Sequence, residues 1–174
     1  LNFFSKALQR VGTPTSILEF GANIGMNLKA IKLLFPNIEL SAIEINDQAA
    51  EVLKETIPAD KINHCSIFDF EPTEKVELSL IKGVLIHINP DMLDTVYTKL
   101  YEASSKYILL CEYYNPAPVA IPYRGHDDRL FKRDFAGELM DKYPDLKLID
   151  YGFSYKRDPA FPQDDITWFL MEKK

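Results

Sequence analysis

Glu19, Gly21, Asn23 and Gly25 fall at alternate positions in Glu19-Phe20-Gly21-Ala22-Asn23-Ile24-Gly25, directly after the apolar run Ile17-Leu18. A carboxylate closing an apolar run and leading into glycines suits the holding of a small polar molecule. The acid takes ammonium or hydroxyl groups, and the bent backbone lets a ligand come close without a Cβ in its way. Asn tolerates left-handed backbone better than most residues, so Asn23 can stand where another glycine would be expected. A second acid, Glu44, closes the run 38–43 and lies 23 residues past Gly21. In a mononucleotide-binding βαβ unit an acid at this place accepts hydrogen bonds from ribose hydroxyls. The dinucleotide fingerprint G-x-G-x-x-G, started at Gly21, needs glycine at positions 23 and 26; Asn23 and Met26 stand there instead.

Other residues with chemistry follow along the chain. Lys82-Gly83 ends a fourth apolar run and is followed by Val84-Leu85-Ile86-His87. His87 has two readings, a packed hydrogen-bonded ring or a general base. The segment Tyr123-Arg124-Gly125-His126-Asp127-Asp128-Arg129 adds His126 and Asp127 as alternative bases, and Glu112 at the end of a fifth run is another. Arg124, Arg129, Lys132 and Arg133 form either a solvated basic loop or a grip on a carboxylate or phosphate, which Arg holds bidentately. Three adjacent polar residues rarely converge on one ion, so His126-Asp127-Asp128 is not taken as a metal site and no metal is expected.

Hydrophobic periodicity supplies the elements that would position these groups. A helix is expected over 3–11, stopped by Gly12 and Pro14, and a strand over 16–20. A second helix carries Ile24, Leu28, Ile31 and Phe35 on its packed face. A strand over 38–44 and a helix over 47–57, with Asp47 near its N-cap, come next. A strand over 61–67 is expected to hold Cys65. Strands over 78–82 and 107–111 bracket a helix that begins at Pro90 behind an Asn89 cap. The stretch 113–131, with Pro116, Pro118 and Pro122, is too long for an ordinary strand-to-helix connection and reads as a stiff substrate lid. A helix over 133–143 and two strands over 146–155 and 166–173 complete an α/β chain.

The 174 residues carry 47% hydrophobic and 26% charged residues, the composition of one soluble globular domain spanning 1–174. No apolar run has the length of a membrane span, and no signal-peptide pattern is present. Leu1 opens in mid-helix pattern, so a preceding native segment is expected. Cys65 and Cys111 read as buried free thiols of a reducing, cytoplasmic compartment. The formal net charge of −6 argues against nucleic acid as the main partner, and no membrane partner is expected; oligomeric state is left open.

The first motif resembles that of class I S-adenosylmethionine methyltransferases, an acid followed by G-x-G-x-G, with Asn23 as the one departure. Gly83-Val84-Leu85-Ile86-His87-Ile88-Asn89-Pro90 resembles the fourth motif of the same superfamily. The resemblance implies a Rossmann-like fold: a seven-stranded, mostly parallel sheet with an antiparallel last strand and helices on both faces. It also implies S-adenosylmethionine as cofactor, held by Glu19, Gly21, Asn23, Gly25, Glu44, Ile45, Ser66, Ile67, Lys82 and Gly83. With Pro122-Tyr123-Arg124-Gly125-His126-Asp127-Asp128-Arg129-Leu130-Phe131 added, the chain resembles the pseudaminic-acid-biosynthesis-associated methyltransferases of bacteria. That resemblance implies methyl transfer to a small anionic acceptor, a nonulosonic sugar or its precursor in surface-glycan biosynthesis. Tyr123, Arg124 and Arg129 would then bind the acceptor, with His87 or His126 catalytic. A non-catalytic cofactor-binding scaffold and a nicotinamide-dependent oxidoreductase are the competing readings.

Overall fold

The computed structural model describes residues 1–123, 125 and 130–174. Seven strands form one sheet: β1 (Ser16–Phe20), β2 (Glu39–Ile43), β3 (Ile62–Asn63), β4 (Val76–Lys82), β5 (Ser104–Glu112), β8 (Leu146–Ser154) and β9 (Ile166–Lys173). Their order is β3-β2-β1-β4-β5-β9-β8. The first five are mutually parallel, and β9 runs antiparallel to both β5 and β8. Two short strands, β6 (Val119–Ala120) and β7 (Phe131–Lys132), make a separate antiparallel ribbon. The expected sheet of seven strands with an antiparallel last strand is the one observed.

Burial on both faces explains the near-continuous apolar runs of the central strands. Ile17, Leu40, Leu78, Leu80, Leu109 and Leu170 pack with Phe3, Phe4, Leu28, Ile31 and Leu53. These come from helices α1 (Asn2–Ala7), α2 (Met26–Leu34) and α3 (Asp47–Leu53). The intervening residues Leu18, Phe20, Ile81, Ile108, Leu110 and Met171 point the other way. They meet Val96, Leu100, Phe135 and Leu139 of α4 (Leu93–Ala103) and α5 (Phe135–Lys142). No helix among the described residues is long and apolar enough to cross a membrane.

Several elements differ from their sequence expectations. The first helix stops at Ala7 and the third at Leu53, each short of the expected end. Asp47 stands next to the cap of α3 as expected; the cap itself is Asn46, whose side chain accepts the Ala49 N–H. Ile24 is exposed and takes no part in the α2 stripe, because the glycine turn holds the chain until Met26. The third strand shrinks to two residues, leaving Cys65 half-buried in the loop after it, while Cys111 is buried as expected. Asn89 caps as expected, its side chain accepting the Asp91 N–H at 3.1 Å.

The topology places the site. From β1 the chain steps outward to β2 and β3, then returns across β1 to β4 on its other side. The carboxyl ends of β1 and β4 therefore flank the point where strand order reverses, which is where open α/β sheets leave a ligand crevice.

Candidate functional site

At that crevice the turn after β1 takes a left-handed path, with φ of 74° at Gly21, 51° at Asn23 and 79° at Gly25. Asn23 is the one non-glycine residue with positive φ among those described, so it does stand in for a glycine. The turn is tied to the neighbouring strand: Gly21 and Ala22 donate their N–H groups to the Ile43 carbonyl at 2.9 and 3.1 Å. Besides the bent backbone their spacing implied, the glycines have a packing role. A Cβ on Gly21 would lie 2.8 Å from Val84 Cγ2, and one on Gly25 would lie 2.6 Å from Leu53 Cδ1. These two positions are needed for backbone sign and for close packing inside the protein. At Gly83, φ 68°, the missing Cβ instead faces open space, as it does at Gly12 and Gly125 away from this turn.

Glu44 is 8% exposed, at the end of β2. Its Oε2 accepts the Asn23 N–H at 2.6 Å and its Oε1 accepts the Asn46 N–H at 2.8 Å. One carboxylate thus joins the glycine turn to the start of α3, and each oxygen keeps a lone pair for a further donor. Glu19 does not stand at the open mouth; it is fully buried beneath the turn. Asn27 Nδ2 donates to its Oε1 at 2.6 Å, while Oε2 has no hydrogen-bond partner among the described residues. Burial pushes its carboxyl up to about 8, against the opposing effects of Asn27 and of the Lys82 charge. An orphaned, buried carboxyl oxygen costs free energy unless a hydrogen-bond partner arrives to meet it.

Around these acids, Ile24, Met26 and Ile45 are exposed apolar side chains, Ile45 by 67%. Beside the turn a cavity of about 420 Å³ is lined by Phe3, Met26, Asn27, Lys82 and Asp164 among others. The Lys82 ammonium lies 5.7 Å from the centroid of the Phe3 ring. Ser66 and Ile67 are half-buried in the loop after β3, where Ser66 Oγ accepts the Phe68 N–H at 3.2 Å. The sequence-derived cofactor set thus gathers chiefly along the ends of β1, β2 and β4 and the turns that leave them.

The acceptor set divides. His87 closes a 3-10 turn, Leu85–His87, and is exposed, its ring centroid 5.7 Å from that of Tyr123. His126, Arg124, Arg129 and Asp127 lie outside the described residues. Arg133 turns inward: its Nε donates to Glu138 Oε1 at 2.5 Å, and Tyr97 donates to Oε2 of the same acid at 2.8 Å. Lys132 places its ammonium 5.1 Å from the Tyr113 ring centroid. Glu112, a candidate base, is 2% exposed, and its Oε1 accepts the N–H groups of Val84 and Leu85. That oxygen is spent on backbone, while Oε2 has no partner among the described residues. Sequence reasoning missed Asn27 as the partner of Glu19; its place two residues after the last glycine of the turn was the signal.

No protein-family model matches the chain, and no curated protein matches it. Solved structures do. The chain is similar to the Burkholderia thailandensis 1,6-didemethyltoxoflavin-N1-methyltransferase, with a TM-score of 0.76 at 14% identity, covering 98% of this chain and 76% of that one. That structure holds 1,6-didemethyltoxoflavin and S-adenosylhomocysteine. This chain is also similar to an O-methyltransferase from a Brevibacillus brevis trans-AT PKS multienzyme, in complex with S-adenosyl-L-homocysteine, with a TM-score of 0.75 at 13% identity over 99% of this chain and 72% of that one. The N-methyltransferase NodS of Bradyrhizobium japonicum gives 0.72 at 11%, covering 99% and 93%. The fold is Rossmann-like, of the methyltransferase type.

Proposed function

We propose that the chain is an S-adenosylmethionine-dependent methyltransferase acting on a small anionic acceptor. The observation that carries this reading is the pairing of Glu44 with a left-handed glycine turn at the strand-order switch, beside an orphaned Glu19 oxygen. The donor set fits the cofactor. Glu44 has acceptor capacity left for ribose hydroxyls, Lys82 offers a cation for a carboxylate, and Ile45 offers an apolar cover for a base. Ser66 and Ile67 supply the loop that would edge that base. Structural neighbours with this fold are crystallised with S-adenosylmethionine or its demethylated product.

When bound, the cofactor supplies an electrophilic methyl group, so the protein's main tasks are to orient a nucleophile about 3 Å away and to exclude water. The unfilled space at Gly83 leaves room for that approach. His87, displayed on the turn just after Gly83 and next to Tyr123, is assigned to take a proton from an acceptor hydroxyl. His126 is the alternative. The segment 113–131 is assigned as the lid, with Tyr123, Arg124 and Arg129 binding the acceptor.

For the acceptor we favour a nonulosonic, pseudaminic-type sugar or its precursor. The support is the resemblance of residues 122–131 and the arginines concentrated there; Arg133, paired with Glu138, is removed from that set. Titration with S-adenosylhomocysteine and separately with NADH tests the cofactor reading, which NADH binding without S-adenosylhomocysteine binding would overturn. Transfer of label from S-adenosylmethionine to nonulosonic acids tests the acceptor. Binding of the cofactor with no labelled product from these acids, or from a bacterial glycan-precursor pool, would favour a non-catalytic scaffold.

A further inference from the structure

Gly83 sits at φ 68° and Val84 at φ −117°, ψ −46°. A left-handed residue followed by a right-handed one turns successive N–H groups toward one concavity, a shape suited to an anion. The anion that fills it belongs to the chain itself. Glu112 Oε1 accepts the N–H groups of Val84 and Leu85, both at 2.9 Å, and the Ile86 N–H also favours its charged form. The Gly83 N–H goes to the Cys111 carbonyl at 3.0 Å. The last two residues of β5 therefore take the N–H groups at 83, 84 and 85. The turn then closes on itself as His87 and Ile88 donate to the Val84 and Leu85 carbonyls at 2.9 and 3.1 Å.

We propose that Glu112 is a positioning residue: its buried carboxylate holds the main chain from Gly83 to His87 in the one shape that keeps the crevice open at Gly83 and presents His87 to the acceptor. The proposal rests on the methyltransferase reading for its purpose. A buried carboxylate is costly, and hydrogen bonds from several N–H groups are what make it tolerable. Its second oxygen has no partner among the described residues, so the hold on the turn depends on Oε1. Loss of the negative charge weakens that hold without removing a single atom of packing.

Lys82 on β4 favours the charge of this carboxylate; Cys111 and Tyr113 lie on either side of it along the chain, and its charge acts in turn on both of them and on Tyr97 of α4, whose hydroxyl is bonded to Glu138. Its register partner on β9, Thr167, carries no charge. Burial raises the Cys111 and Tyr97 groups well above their usual ranges, and raises Tyr113 to about 12, so all three are neutral at neutral pH. Burial likewise pushes Glu112 up to about 7.

The test uses Glu112→Gln, which keeps size and a carbonyl acceptor but cannot titrate. In the unmodified protein the Val84 and Leu85 amide protons should shift with pH, with a midpoint near 7. S-adenosylhomocysteine affinity should fall about tenfold through the same midpoint on acidification, the difference between a charged and a neutral acceptor. In Glu112→Gln both inflections should vanish, while any inflection due to Glu19 remains. Amide shifts that do not move between pH 5 and 9, or an affinity inflection near 7 that survives in the variant, would overturn the proposal and leave the cofactor reading standing. A folded protein that fails to bind S-adenosylhomocysteine at any pH overturns the cofactor reading, and with it the purpose assigned to Glu112.

Discussion

Replacing Glu44 separates a ligand-binding acid from a solvated strand end. In the folded protein its two oxygens accept N–H groups from opposite sides, Asn23 at 2.6 Å and Asn46 at 2.8 Å, at a position 8% exposed. Hydrogen bonds to a charged group contribute about 1.5–3 kcal/mol each, and a donor left unmatched in a buried place costs about 1–3 kcal/mol. Glu44→Ala strips both N–H groups of their acceptor and should lower unfolding free energy by about 2–4 kcal/mol. If its remaining lone pairs meet ribose hydroxyls, S-adenosylhomocysteine affinity should also fall by about 1–3 kcal/mol, roughly 5- to 150-fold in Kd. Glu44→Gln presents an amide NH₂ to one of the two backbone donors, so it should fall between the natural protein and the alanine variant in both respects. Calorimetric titration gives the affinity, and urea unfolding of the same samples gives the stability. A folded Glu44→Ala or Glu44→Gln protein whose Kd stays within about twofold would refute the ribose assignment, because that is less than one lost hydrogen bond.

The buried acids give stability a distinctive pH dependence. Glu19 ionises at about 8 and Glu112 at about 7 in the fold, against an ordinary value of 4.5. Through that range these two acids hold protons in the fold that the unfolded chain has released, so they make stability fall as pH rises, while Lys173, lowered by burial to about 8, opposes the fall near its upper end. Glu19→Gln should flatten the upper part of that fall in melting curves recorded from pH 5 to 9; a parallel curve would contradict the account. The glycines divide by environment. Gly25→Ala combines left-handed strain with the Leu53 clash and should cost about 2–4 kcal/mol of stability. Gly83→Ala carries only the strain, about 1–2 kcal/mol, but puts a methyl into the crevice and should weaken ligand binding more than folding. A Gly83 variant less stable than the Gly25 variant would show the space around them to be misassigned.

How much of the site was legible varies with the range of the interaction. The glycine turn could be read because backbone sign is a local property: Gly21, Asn23 and Gly25 tolerate positive φ whatever surrounds them. Glu44 could be placed because a strand, a helix and a strand of ordinary length return the chain to the same edge. Arg133 could not be sorted from its basic neighbours, since its partner Glu138 lies on α5 and acquires its meaning only when that helix packs. The role of Glu112 was hidden for the same reason, its donors being 27 and 28 residues away. The third strand was overread because apolar residues near Cys65 pack as a loop over the core instead of pairing.

The order of residue types by itself determined the alternation of strands and helices, the left-handed bend after β1 and the acids that close β1 and β2. Those follow from steric limits on φ and from hydrophobic periodicity, which act within a few residues of chain. Only the tertiary structure decided that Glu19 lies buried with an oxygen to spare, that Val84 and Leu53 fill the space beside two glycines, and that Gly83 alone among the glycines of the crevice faces empty space. Burial and close approach depend on which distant segments arrive at one place, and desolvation, the largest influence on both Glu19 and Glu112, has no counterpart in an isolated stretch of sequence.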